Sequence, residues 1–120
     1  MTVNAPPANS LHCGDLDGTS ANSGKYWKAT VVVTIHNGVH APVQNATVSI
    51  QWGGGASGTA SATTDANGRC TFVSGNISKS SPNATLTISN VTHATLTYSA
   101  AANHDPDGDS TGTIITVSKP

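Results

Sequence analysis

The tightest constraint on this chain is a period-two alternation of apolar and polar side chains that recurs along most of its length. In Ala46-Thr47-Val48-Ser49-Ile50-Gln51-Trp52 every second residue is apolar. Successive side chains of a β-strand point to opposite faces, so this spacing is that of a strand with one buried face. Residues 26–36 repeat it, with Trp27, Ala29, Val31, Val33 and Ile35 on one face and Lys28, Thr30, Val32, Thr34 and His36 on the other. Ala84, Leu86 and Ile88 do the same. Leu96 and Tyr98 continue the pattern beyond a kink near Thr92, and Ile115 and Val117 end it. No segment keeps the 3.6-residue period of an amphipathic helix.

Turn residues cut this alternation into short strands. Residues 11–16 read as a first strand and 17–24 as a polar loop. Residues 37–42 form a turn, and Gly53-Gly54-Gly55 allows a bend. Residues 57–64 and 69–74 flank Asp65-Ala66-Asn67-Gly68 and read as a hairpin, because Asn-Gly supplies the positive-φ positions a tight connection needs. Residues 75–83 are a polar loop, and residues 100–112 form the longest loop, rich in aspartate. The expectation is an all-β, antiparallel sandwich of seven or eight strands.

Composition narrows the class further. At 120 residues the chain fits one domain, read as residues 11–120 behind a linker or tail at 1–10. Only 9% of residues are charged and no glutamate occurs, with Thr, Ser, Asn and Gly in place of charge. That mix favours strands and turns over helices. A net charge of −1 offers no footprint for nucleic acid or an anionic lipid surface. No apolar run approaches the roughly 18 residues needed for a membrane-inserting helix. The composition reads as extracellular or cell-surface, and the chain as a piece of a larger secreted protein.

The chemical candidates are few. His104-Asp105-Pro106-Asp107-Gly108-Asp109 places three carboxylates at alternate positions around a glycine. Such a loop suits Ca²⁺, which takes six to eight oxygen ligands in flexible geometry. Asp105, Asp107 and Asp109 are therefore the expected calcium ligands, with Asp15 and Asp17 of Gly14-Asp15-Leu16-Asp17-Gly18 as contributors. A solvated turn is the plain alternative, since Asp, Pro and Gly are also turn formers. Cys13 shares parity with Leu11, and Cys70 with Phe72, so both point inward. They read as a disulfide, with two buried free thiols as the alternative.

The five histidines, His12, His36, His40, His93 and His104, read as turn and strand-surface residues, because no Cys-x-x-Cys pair or helical spacing supports zinc. Trp27 and Trp52 have core parity, which argues against an exposed sugar-stacking platform. No Gly-x-Ser-x-Gly elbow or carboxylate pair points to an enzyme.

The strand, glycine-rich loop and Asp-Ala-Asn-Gly turn of residues 42–73 resemble bacterial immunoglobulin-like domains. Gly14-Asp15-Leu16-Asp17-Gly18, the stretch from Asn90 to Tyr98 and the stretch from Asn103 to Asp109 resemble a narrower group: small domains near the C-terminus of secreted bacterial proteins, including subtilisin-like peptidases. The resemblance runs from His12 to Pro120. It implies an immunoglobulin-like sandwich acting as a non-catalytic extracellular accessory domain, a structural spacer or adhesion module. Its partners would be parent-protein domains or a cell-surface ligand. A carbohydrate-binding module that takes polysaccharide and a filament subunit with an exchanged N-terminal arm are the alternatives. Relatives pair the hairpin cysteine with one at the position of Ala62, so their bridge does not carry over to this chain.

Overall fold

The computed structural model describes residues 10–103 and 110–120. They form two packed β-sheets, and the only helical element among them is a single 3-10 turn at Ala100–Ala102. One sheet, here sheet A, runs in the order β5 (Arg69–Val73), β2 (Tyr26–Asn37), β1 (Ser10–Ser23), β8 (Thr97–Tyr98). The short β6 (Ile77–Ser78) pairs with the start of β2. Sheet B runs β4 (Gly58–Thr63), β3 (Thr47–Gly54), β7 (Asn83–Thr92), β9 (Ile114–Ser118). All pairings are antiparallel except β1 with β8. Seven strands have five or more residues, and β6 and β8 have two each.

The alternation read from sequence becomes the core. Trp27, Ala29, Val31, Val33 and Ile35 of β2 face Ala46, Val48, Ile50 and Trp52, and Leu86, Ile115 and Val117 complete the same interior. All of these are 7% exposed or less. Burying a side chain such as Leu or Ile contributes about 1.5–3 kcal/mol, so this interior is the main source of stability.

Three expectations need correction. The polar stretch 17–24 is mostly strand: β1 continues to Ser23 and pairs with β2 as far as Ser23 opposite Tyr26. Pairing along the neighbouring strand outweighs the polar composition, and the connection shrinks to Gly24–Lys25, with Gly24 at φ 62. The segments around Asp65-Ala66-Asn67-Gly68 do not pair as a hairpin. β4 lies on β3 in sheet B and β5 on β2 in sheet A, so the turn carries the chain from one sheet to the other.

Of the Asn-Gly pair only the glycine takes a positive φ, and the turn fixes only the reversal. The Asp65 carboxylate accepts the N–H groups of Asn67 (2.8 Å) and Arg69 (3.1 Å), and Gly68 adopts φ 75. Gly68 also lies so close to the Ile35 carbonyl that a Cβ there would sit 2.7 Å from it.

The third correction concerns the cysteines. Cys13 and Cys70 are both buried and unbridged. Cys13 lies opposite Ile35 on β1, and Cys70 opposite Val33 on β5, so β2 stands between them. Two inter-strand spacings are about 9–10 Å, beyond the roughly 7 Å limit for Cα atoms joined by a disulfide. Shared inward parity was correct, but the two thiols belong to one sheet rather than to facing sheets.

Candidate metal centre

Register brings three histidines together where sequence spacing did not. β1 and β2 pair so that His12 lies directly opposite His36. Leu11 and Cys13 enter the core, so His12 projects from the outer face of sheet A, as does its partner. Beyond His36 the strand ends in a turn organised by Asn37. Its side-chain carbonyl accepts the N–H groups of Val39 and Ala41, both at 3.0 Å, and its backbone carbonyl accepts that of His40 at 2.9 Å. His40 is held at φ 62, a left-handed conformation uncommon outside glycine. The chain then returns to pair Pro42 with His36.

The three rings stand edge to face. Centroids are 5.1 Å apart for His12 and His40, and 6.1 Å for the two pairs that include His36. One ring nitrogen from each lies within 4.8 Å of the other two. Burial is graded: His12 is 1% exposed, His36 half-buried and His40 exposed. The cluster thus has a closed floor and an open rim.

A β-bulge makes room for it. The register shifts between Cys13 and Asp15, which leaves Gly14 as the extra residue. A Cβ at Gly14 would overlap the His36 ring. The bulge also changes the parity of β1, so Leu16 and Gly18 face the core after it, as Leu11 and Cys13 do before it. Asp15 and Asp17 therefore lie on the outer face, opposite Thr34 and Val32, next along the sheet from the histidine pair. Asp105, Asp107 and Asp109, and His104 with them, lie outside the described residues.

The remaining candidates are placed as follows. His93 is a structural residue: its Nδ1 accepts the N–H groups of Thr95 (3.1 Å) and Leu96 (3.3 Å), so Nε2 carries the proton and donates to the Gln44 carbonyl at 3.1 Å. Trp27 and Trp52 are buried at 0% and 7% exposure. The Cys70 thiol is pushed up to about 11, first by burial and then by the negative charge of Asp65. Asn103 ties the C-terminal part of the chain to the histidine end of β1. Its Oδ1 accepts the Cys13 N–H at 2.7 Å, and its amide donates to Tyr98 Oη at 2.7 Å and Thr113 Oγ1 at 3.0 Å. Burial raises the Tyr98 phenol above its ordinary range, against a lowering by the Asn103 hydrogen bond.

No protein-family model, curated protein or solved structure matches this chain. Functional inference accordingly rests on the residues themselves. The histidine cluster, read from sequence as scattered surface residues, is the densest group of metal-ligating side chains among the described residues. The signal available in the sequence is His12-Cys13-Gly14: a histidine between Leu11 and Cys13, with a glycine two positions on.

Proposed function

We propose that this chain is a non-catalytic extracellular accessory domain, a structural spacer or adhesion module of the bacterial immunoglobulin-like kind its sequence resembles. The observation that carries the reading is the filled interior. Side chains from both sheets occupy the space between them, so the sandwich is a solid body that meets other molecules through its surface. That surface is Ser-, Thr- and Asn-rich, as on the outer face of β4, where Thr59, Ser61 and Thr63 are exposed. The partners are neighbouring domains of the parent protein or a cell-surface ligand. The carbohydrate-binding alternative loses its platform, because both tryptophans lie in the core.

Purified chain applied to cellulose, chitin and xylan tests the assignment, with light scattering on the same sample. The expected result is an unretained monomer. Saturable retention on a polysaccharide would replace the reading with the carbohydrate-binding one, and assembly into polymers would replace it with the filament one.

Calcium at Asp105, Asp107 and Asp109, with Asp15 and Asp17 contributing, belongs to this proposal. Its support is the spacing of the carboxylates in the sequence. Equal melting temperatures in calcium and in EDTA would remove it.

A further inference from the structure

We propose that His12, His36 and His40 form a binding site for a late first-row divalent transition metal, of the Zn²⁺ or Ni²⁺ class. This goes beyond the accessory-domain reading and does not depend on it.

Ligand chemistry comes first. Three imidazole nitrogens are borderline donors that suit zinc, nickel and copper, whereas calcium takes oxygen. A tetrahedral zinc with nitrogens at about 2.0–2.1 Å sets those nitrogens about 3.3 Å apart. The three here already lie within 4.8 Å. Closing the triangle moves each nitrogen by about 1 Å, within reach of small ring rotations and without backbone change.

The backbone is arranged to hold that triangle. His12 and His36 are held directly opposite each other by the pairing of β1 with β2. His40 is supplied by a turn that Asn37 locks through three hydrogen bonds, in a conformation that costs energy for a side chain other than glycine. Gly14 leaves the volume that the His36 ring occupies. Asp15 lies opposite Thr34, two residues along β2 from His36 and on the same outer face. The gradient of exposure from His12 to His40 puts His40 on the solvent side of the group. Three imidazoles are a donor set that zinc accepts, with a further ligand completing its tetrahedron.

The competing explanation is an edge-to-face packing of three imidazoles that takes no metal. Calorimetric titration of the full chain, freed of metal with EDTA and dialysed, separates the two. ZnSO₄, NiCl₂ and CaCl₂ are titrated in turn. The expected result is one Zn²⁺ per chain at micromolar or tighter affinity, with Ni²⁺ competing for the same site. His40→Ala should weaken Zn²⁺ binding at least tenfold while the metal-free melting temperature stays put, because the side chain is exposed. Gly14→Ala keeps all three ligands but displaces the His36 ring, and should weaken binding as well. His93→Ala should leave it unchanged. Absence of Zn²⁺ and Ni²⁺ binding, or equal affinity in wild type and His40→Ala, overturns the site. So does a response to calcium alone, which would instead support the acidic loop.

Discussion

Strand β2 ends in two different ways. At its start Trp27 is wholly buried, and its indole N–H is shared between the carbonyls of Ser78 (3.1 Å) and Ser81 (3.2 Å). The loop after β5 folds back to make those contacts and sends Ile77 into the core. At its finish, nine residues on, His36 meets His12 and His40 on the outer face, and burial falls from His12 to the rim. One end closes over a large apolar side chain and satisfies its single polar atom with backbone. The other end gathers three polar rings and leaves one side open. Stability concentrates at the first end and binding chemistry at the second. A substitution at the tryptophan end should therefore change folding, and one at the histidine rim should change binding only.

The largest effect should come from Trp27→Ala. Removing a fully buried indole costs about 3–5 kcal/mol, and it also strips the carbonyls of Ser78 and Ser81 of their donor. Urea unfolding followed by circular dichroism would show the shift in midpoint. A loss below 1 kcal/mol would mean that this end is not the stabilising one.

A smaller effect belongs to the edge strand β5 of sheet A. Burial pushes the Cys70 thiol up to about 11 from its ordinary 9.0. The protonated thiol is therefore favoured by the folded state. Its contribution is fully present below pH 9, and it is lost as pH rises toward 11. The loss should be roughly 2 kcal/mol, read as a falling urea midpoint that Cys70→Ala flattens. A bridged cysteine would show no such slope, so intact mass with and without reductant checks the same point. The smallest effect is at the rim, where His40→Ala should change metal-free stability by less than about 0.5 kcal/mol.

The same contrast explains what could be read in advance. The core faces of β2, β3, β7 and β9 follow from parity within each strand, because alternation is local and burial enforces it. Trp27 and Trp52 lie inside for that reason. Parity says nothing about which strand lies beside which. The Asp65–Gly68 turn thus gave its own geometry but not its crossing between sheets, and Cys13 and Cys70 gave their inward direction but not their shared sheet.

The histidine cluster depends on register between β1 and β2, on the bulge at Gly14 and on the left-handed His40. None of these is periodic. His12 and His36 are separated by 24 positions in sequence, and only the pairing of their strands makes them neighbours. His36 and His40 stand four positions apart across a turn, with no helix to align them, yet the turn itself brings the two rings together.

The most direct test of the division between the two ends is a zinc titration followed by ¹⁵N nuclear magnetic resonance, reading ring nitrogens and indole N–H groups in one sample. The account predicts large shifts at the ring nitrogens of His12, His36 and His40, saturating at one equivalent. The ring nitrogens of His93 and the Trp27 indole N–H should stay where they were. Shifts confined to His93, or comparable movement at His40 and at the Trp27 indole, would contradict it.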